Sequence, residues 1–175
     1  MRVSAKADYA ARAAAELSTA TDKPSKADRI AEAQGIPAKF LETILLELKH
    51  AGIVRSQRGP DGGYALARPA EDISVADVIR AVDGPLANVR GDRPENMEYN
   101  GAAEPLTDVW IAVRAALREI LESTTLANLR DRELPPRVAE LADDPEAWVS
   151  LGRIRGATPT GGRRSAQPKT NSAKS

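Results

Sequence analysis

The chain has 175 residues, 42% hydrophobic, 29% charged and 3% aromatic, with 25 Lys+Arg against 25 Asp+Glu and no cysteine. That length fits one domain, or one small domain with an extension. Without cysteine there is no disulfide scaffold, thiolate zinc site, all-cysteine iron–sulfur cluster or thiol nucleophile, and the single histidine, His50, excludes any site needing two imidazoles from one chain. No apolar run of about 18 residues is present. Lys6, Asp8, Arg12 and Glu16 interrupt any signal-peptide core, so the expectation is a cytoplasmic protein with no membrane partner.

The zero net charge conceals an asymmetry. Residues 1–70 carry a net +3, residues 71–151 a net −9, and residues 152–175 hold six basic side chains and no acidic one. Such segregation is expected where one part of a chain meets a polyanion and another part does not.

In chain order, Ser4 to Leu17 is a run of helix formers without Gly or Pro, with Ser4 as N-cap and Val3 as a candidate hydrophobic staple. The stretch from Ser18 to Pro24 ends it. Ser25 reads as the N-cap of a short helix, Lys26 to Gln34, closed by Gly35. Pro37 then opens a helix that runs to about Ala51, with Phe40, Leu41, Ile44, Leu45 and Leu48 on one face and Gly52 as its stop. Two helices joined by Gly-Ile-Pro form a helix-turn-helix pattern. A short β-prone run (Ile53–Gln57), a dense turn signal (Arg58–Gly63) and a second β-prone run (Tyr64–Ala67) follow at once. Strand, glycine turn and strand directly after a recognition-type helix make the wing of a winged helix-turn-helix.

A fourth helix is capped by Ser74, with Asp77 in its first turn, and ends at Gly84-Pro85. Residues 86–105, with Gly91, Pro94, Gly101 and Pro105, read as a long loop. Leu106, Val109, Trp110, Val113, Leu117, Ile120 and Leu121 restore helical periodicity over 106–122. A short helix from Thr125 is broken by Pro135-Pro136, residues 137–151 are weakly helical, and the Gly/Ser/Thr/Pro-rich basic tail from Gly152 is expected to be disordered. The domain reading is a winged head (1–85), a loop (86–105), a dimerisation helix and its end (106–130), an extension (131–151) and a tail (152–175). The fold class is mainly α with one small β-hairpin.

On the third helix Lys39, Glu42 and Thr43 share the face opposite the apolar stripe. Lysine can donate to phosphate or guanine, and glutamate can accept from the cytosine amino group; the same pattern also describes any solvated helix face. Arg58, at the base of the hairpin tip, is placed to meet phosphate or the minor groove, or is an incidental arginine. The glycine turn is no nucleotide cradle, because it leads into a strand rather than a helix. The 106–121 stripe is expected to pair with its copy in a second subunit. No nucleophile–base pair, metal-ligand cluster or cofactor motif is present, so the chain does not read as an enzyme.

The chain resembles the Rrf-two-type family of winged-helix transcriptional regulators. The resemblance runs from Val3–Ala10 through Arg29-Ile30-Ala31-Glu32, Gly35-Ile36-Pro37, Phe40-Leu41-Glu42 and Leu48–Val54, and is most specific at Arg58–Leu66; it continues through Ile73-Ser74-Val75, Val78–Val82, Trp110 and Thr125–Leu129. It implies a homodimeric, sequence-specific DNA-binding regulator, a repressor, with Lys39, Phe40, Glu42, Thr43 and Arg58 as operator contacts and Leu106, Val109, Trp110, Val113, Leu117, Ile120 and Leu121 at the dimer seam. Cluster-binding relatives place three cysteines in the loop corresponding to 86–105. This loop has none, so the iron–sulfur function does not transfer and no cofactor or metal is expected. The effector, small molecule or protein, is not written in the sequence, though a pocket for one is expected between the head and the 86–105 loop. The competing reading is a winged-helix interaction module that docks a partner protein through its acidic half.

Overall fold

The computed structural model describes residues 2–20 and 23–149. Helix α1 (Ala5–Ser18) starts where Ser4 Oγ accepts the Ala7 N–H at 2.9 Å. It turns Ala7, Ala10, Ala13, Ala14 and Leu17 inward. Alanines let neighbouring helices approach closely, and α1 duly sits at the centre of the head, against helices α2 (Ala27–Gln34), α3 (Ala38–His50), α4 (Val75–Asp83) and α6 (Leu126–Asp131). Val3 is 75% exposed and forms no staple, contrary to expectation, because the residue at the staple's partner position in α1 is the charged Asp8.

The helix-turn-helix forms as the sequence implies. Gly35 takes the left-handed conformation (φ 59°) after α2, and the Ile36 N–H reaches back to the Ala31 carbonyl at 2.9 Å. Pro37 stands one residue before α3 rather than inside it, its carbonyl accepting the first helical N–H groups. Leu41, Ile44, Leu45 and Leu48 are fully buried. Phe40 departs from the expected apolar face: it is 49% exposed and meets Tyr9 of α1 edge-on, centroids 5.9 Å apart. It lies in the first turn of α3, at the margin of the core rather than under it.

Strands β1 (Val54–Gln57) and β2 (Gly63–Leu66) pair antiparallel, Val54 opposite Leu66 and Gln57 opposite Gly63. Ser25 also departs from expectation. It caps no helix; it exchanges two backbone hydrogen bonds with Tyr64, both 2.8 Å, and so adds a third, one-residue strand to the wing. Gly63 permits this approach, since a Cβ there would lie 2.5 Å from the Ser25 carbonyl oxygen. Such a pairing is long-range and leaves no local signal.

Helix α4 begins with a full capping box, Ser74 and Asp77 each binding the other's backbone N–H. The 86–105 segment is more ordered in form than a plain loop, with two 3-10 turns (Pro94–Asn96 and Gly101–Ala103). Helix α5 (Leu106–Ser123) follows. The chain then returns to the head: backbone bonds join Val75 to Thr124 and Leu126 to Ile73, and Leu126 is fully buried in the head's core. Helix α7 (Pro136–Asp143) and a 3-10 turn (Pro145–Trp148) close the described chain. The expected disordered tail lies outside the described residues.

Candidate nucleic-acid interface

The candidate interface is built on α3. Its inner face is anchored by four buried aliphatic side chains and by an ion pair from Lys6 to Glu47 at 3.2 Å, which ties α3 to α1. Its outer face presents Lys39, Glu42, Thr43, Leu46, Lys49 and His50 to solvent. The Thr43 hydroxyl donates to the Lys39 carbonyl at 3.4 Å, a weak local bond that a better acceptor displaces easily. Leu46, 51% exposed, is an apolar side chain on this face that sequence reasoning did not single out. The exposed cations Lys26, at the N-cap of α2, and Arg29, within it, were also missed.

Arg58 stands exposed where β1 leaves the sheet, at the start of the five-residue tip 58–62. The tip is closed by a Gly62 N–H to Gly59 carbonyl bond at 3.0 Å. Gly59 holds φ at 114°, and a Cβ on Gly62 would collide with the Gln57 and Gly59 carbonyls, so the turn requires glycine at both positions. Among the described residues, Lys39, Glu42 and Arg58 have no charged partner within 4.0 Å. Residues 23–68 carry eight basic and five acidic side chains, whereas residues 69–149 carry eight and seventeen. The helix-turn-helix and wing are therefore net cationic, whereas residues 69–149 are strongly acidic.

Helix α5 has eighteen residues and buries none of them. Leu106 and Val109 are exposed, as is Ile111, which the expected stripe omitted. Trp110, Val113, Leu117, Ile120 and Leu121 are half-buried. Leu117 and Leu121 line an apolar cleft of about 230 Å³ with Ala7, Ile79 and Leu86; Trp110 and Val113 line a wider hollow, about 540 Å³, with residues 87–90. The Trp110 indole donates to the Tyr99 hydroxyl at 3.1 Å, and Arg114 pairs with Glu95 at 2.6 Å. In the loop, the backbone N–H of Arg93 and the Asn96 amide both bind Asp92 and hold its carboxyl below the usual value. Glu95 is lowered likewise, by its own backbone N–H first and by Arg114 second.

A sequence model described as "Rrf2: Iron-dependent Transcriptional regulator" matches residues 3–132. The chain is 52% identical over 151 residues to a protein of Mycobacterium tuberculosis (strain H37Rv) provisionally named as an HTH-type transcriptional regulator, Rv1287, covering 86% of this chain and 94% of that one. It is 33% identical over 130 residues to the HTH-type transcriptional regulator CymR of Bacillus subtilis, covering 74% and 89%. Among solved structures it superposes on B. subtilis CymR, described as the global cysteine regulator, with a TM-score of 0.64 at 31% identity, covering 75% of this chain and 98% of that one. On T. potens IscR the TM-score is 0.60 at 31% identity, covering 87% and 94%.

The family's description names iron, and the residues here do not fit it. The chain has no cysteine; His50 lies at the end of α3, outside the 86–105 segment; and Asp92 and Glu95 are engaged by Arg93, Asn96 and Arg114. Among the described residues no three His, Asp or Glu side chains gather into a metal site. With an outward-facing α3, a wing beside it and the family match over 3–132, the chain belongs to the Rrf2 family of DNA-binding helix-turn-helix transcriptional regulators.

Proposed function

We propose that the protein is a homodimeric, sequence-specific repressor that places α3 in the major groove and its wing in the adjoining minor groove. The observation that carries this reading is the division of α3, one side sealed by Leu41, Ile44, Leu45 and Leu48 and the other wholly open. On the open side Lys39 and Thr43 serve as phosphate or base donors and Glu42 as an acceptor for a cytosine amino group. Phe40, held against Tyr9, supplies an apolar edge suited to a thymine methyl. Arg58 neutralises charge at the minor groove. Helix α5, none of whose residues is fully buried in its own chain, supports a second copy as its partner, with Leu106, Val109 and the Trp110–Leu121 stripe at the seam. Two heads joined rigidly convert the second DNA contact into an intramolecular event. On this reading the dimer represses by occupying a promoter.

The test is binding to the protein's own promoter fragment across a salt series. Log affinity is expected to fall linearly with log salt, and Arg58→Ala to reduce the slope by about 0.9. Failure to prefer that fragment over random DNA near physiological salt would transfer the proposal to a protein partner docked on the acidic half.

A further inference from the structure

A cavity of about 320 Å³ opens between the end of α1, the base of the wing and α6, and α3 contributes nothing to it. Among the described residues four cations line it, Lys23, Arg55 of β1, Arg68 just beyond β2 and Arg130 of α6, with Glu71 as the one lining carboxylate. Each guanidinium is held by part of its fork. Arg55 Nε donates to the Leu66 carbonyl at 3.3 Å, Arg68 Nη1 to the Asp72 carbonyl at 3.1 Å, and Arg130 grips Asp131 through two bonds of 2.7 and 2.8 Å. The remaining N–H groups are left for another acceptor. Among the described residues, Arg55 and Arg68 have no carboxylate within 4.0 Å.

Like charges gathered around one concavity repel one another and focus the field on an entering anion. Among the described residues, Glu71 in the lining and Asp131 on Arg130 offset two of the four cations, and the two positive charges left over suit a ligand of charge near −2. The volume lies at the lower end of small-molecule sites, and fixed arginine forks match the oxygens of phosphate or carboxylate groups. We propose that this cavity binds a small dianion bearing phosphate or carboxylate oxygens. Arg55 and Arg68 belong to the wing and its exit and Arg130 to α6, so a bound dianion bridges the hairpin to the short helix that follows α5. By linkage, whatever the ligand does to the wing, DNA on the wing does to the ligand. The site is separate from the hollow beside the 86–105 segment, where sequence reasoning expected an effector.

DNA phosphates carry the same chemistry, so the experiment has two arms. In the first, the full chain is melted, and titrated calorimetrically, with inorganic phosphate and with malonate against sodium chloride of equal ionic strength. Saturable stabilisation is expected in the wild type, weakened about tenfold or more in Arg55→Gln and in Arg68→Gln, and unchanged in Arg93→Gln, whose cation lies outside the cavity. In the second arm, the salt slope for a random duplex is expected to match the wild type in both cavity variants. The absence of saturable binding in the wild type, or equal binding in the cavity variants, overturns the proposal. So does a slope lowered by about 0.9 in either variant, which assigns the cations to the DNA backbone. Far-UV circular dichroism checks folding, and if one variant is unfolded the other decides.

Discussion

The head and helix α5 solve the same problem in opposite ways. In the head, α1 and α3 each sink a row of aliphatic side chains into one core, and their polar faces are what solvent sees. Helix α5 is longer than either and as clearly patterned, yet none of its residues is buried. The difference lies in neighbours: α1 has helices on several sides, whereas α5 packs chiefly on α4 and the 3-10 turn at Pro94–Asn96. An amphipathic stripe states that a helix wants a partner, and says nothing of whether the partner is in the same chain.

The same charge placed in both helices breaks the comparison most severely. Leu45→Glu buries an unpaired carboxylate in a core residue of zero exposure, costing several kcal/mol against a total stability of about 5–15. The expected outcome is an unfolded or aggregated chain by circular dichroism. Val109→Glu, on the exposed side of α5, should leave the melting of the head almost untouched while sedimentation shows a monomer that has lost operator preference. A dimer that persists in Val109→Glu and still binds its operator would place the seam elsewhere.

A smaller effect is expected at the junction of wing and head. Gly63→Ala drives a Cβ into the Ser25 backbone and should cost about 1–3 kcal/mol by the rules for overpacking. It should also shift the wing and weaken DNA binding. Full stability with full affinity in Gly63→Ala would mean that the Ser25–Tyr64 pairing is dispensable.

The smallest effect sharpens the contrast from the α5 side. Asp92 and Glu95 titrate below their ordinary values of 3.8 and 4.5, so their contribution is present above those values and is lost as pH falls through the lowered ones. Both are exposed, so the change is local. In a Trp148→Phe background, Trp110 fluorescence should hold steady from neutral pH down to about 4 and change only below that. A transition near pH 6 would contradict this account of what holds the loop.

Much of the head was legible in the chain because its signals are local. Ser4 and Ser74 cap the helices they precede, Gly35 takes the left-handed conformation its position demands, and the Arg58–Gly63 turn closes a hairpin. What escaped was set by contacts across the chain. Ser25 looked like a helix cap because serine before a helix usually is one, but its backbone was needed by Tyr64, 39 residues on. Phe40 matched the apolar period of α3, but the core ends before the first turn does. The cavity cations come from four separate stretches, and no window of sequence contains them.

By itself the sequence determined the helices, the turn and wing of the DNA-reading head, the cationic face, and the lack of any thiolate to hold a cluster. Spacing, capping chemistry and composition are properties of neighbouring residues, and they survive without a fold. Only the tertiary structure decided that Ser25 joins the wing, that Leu126 returns to the head's core while α5 buries nothing, and that Arg55, Arg68 and Arg130 share one cavity. Each of these depends on which distant surfaces meet, and that is set by the sum of packing over the whole core.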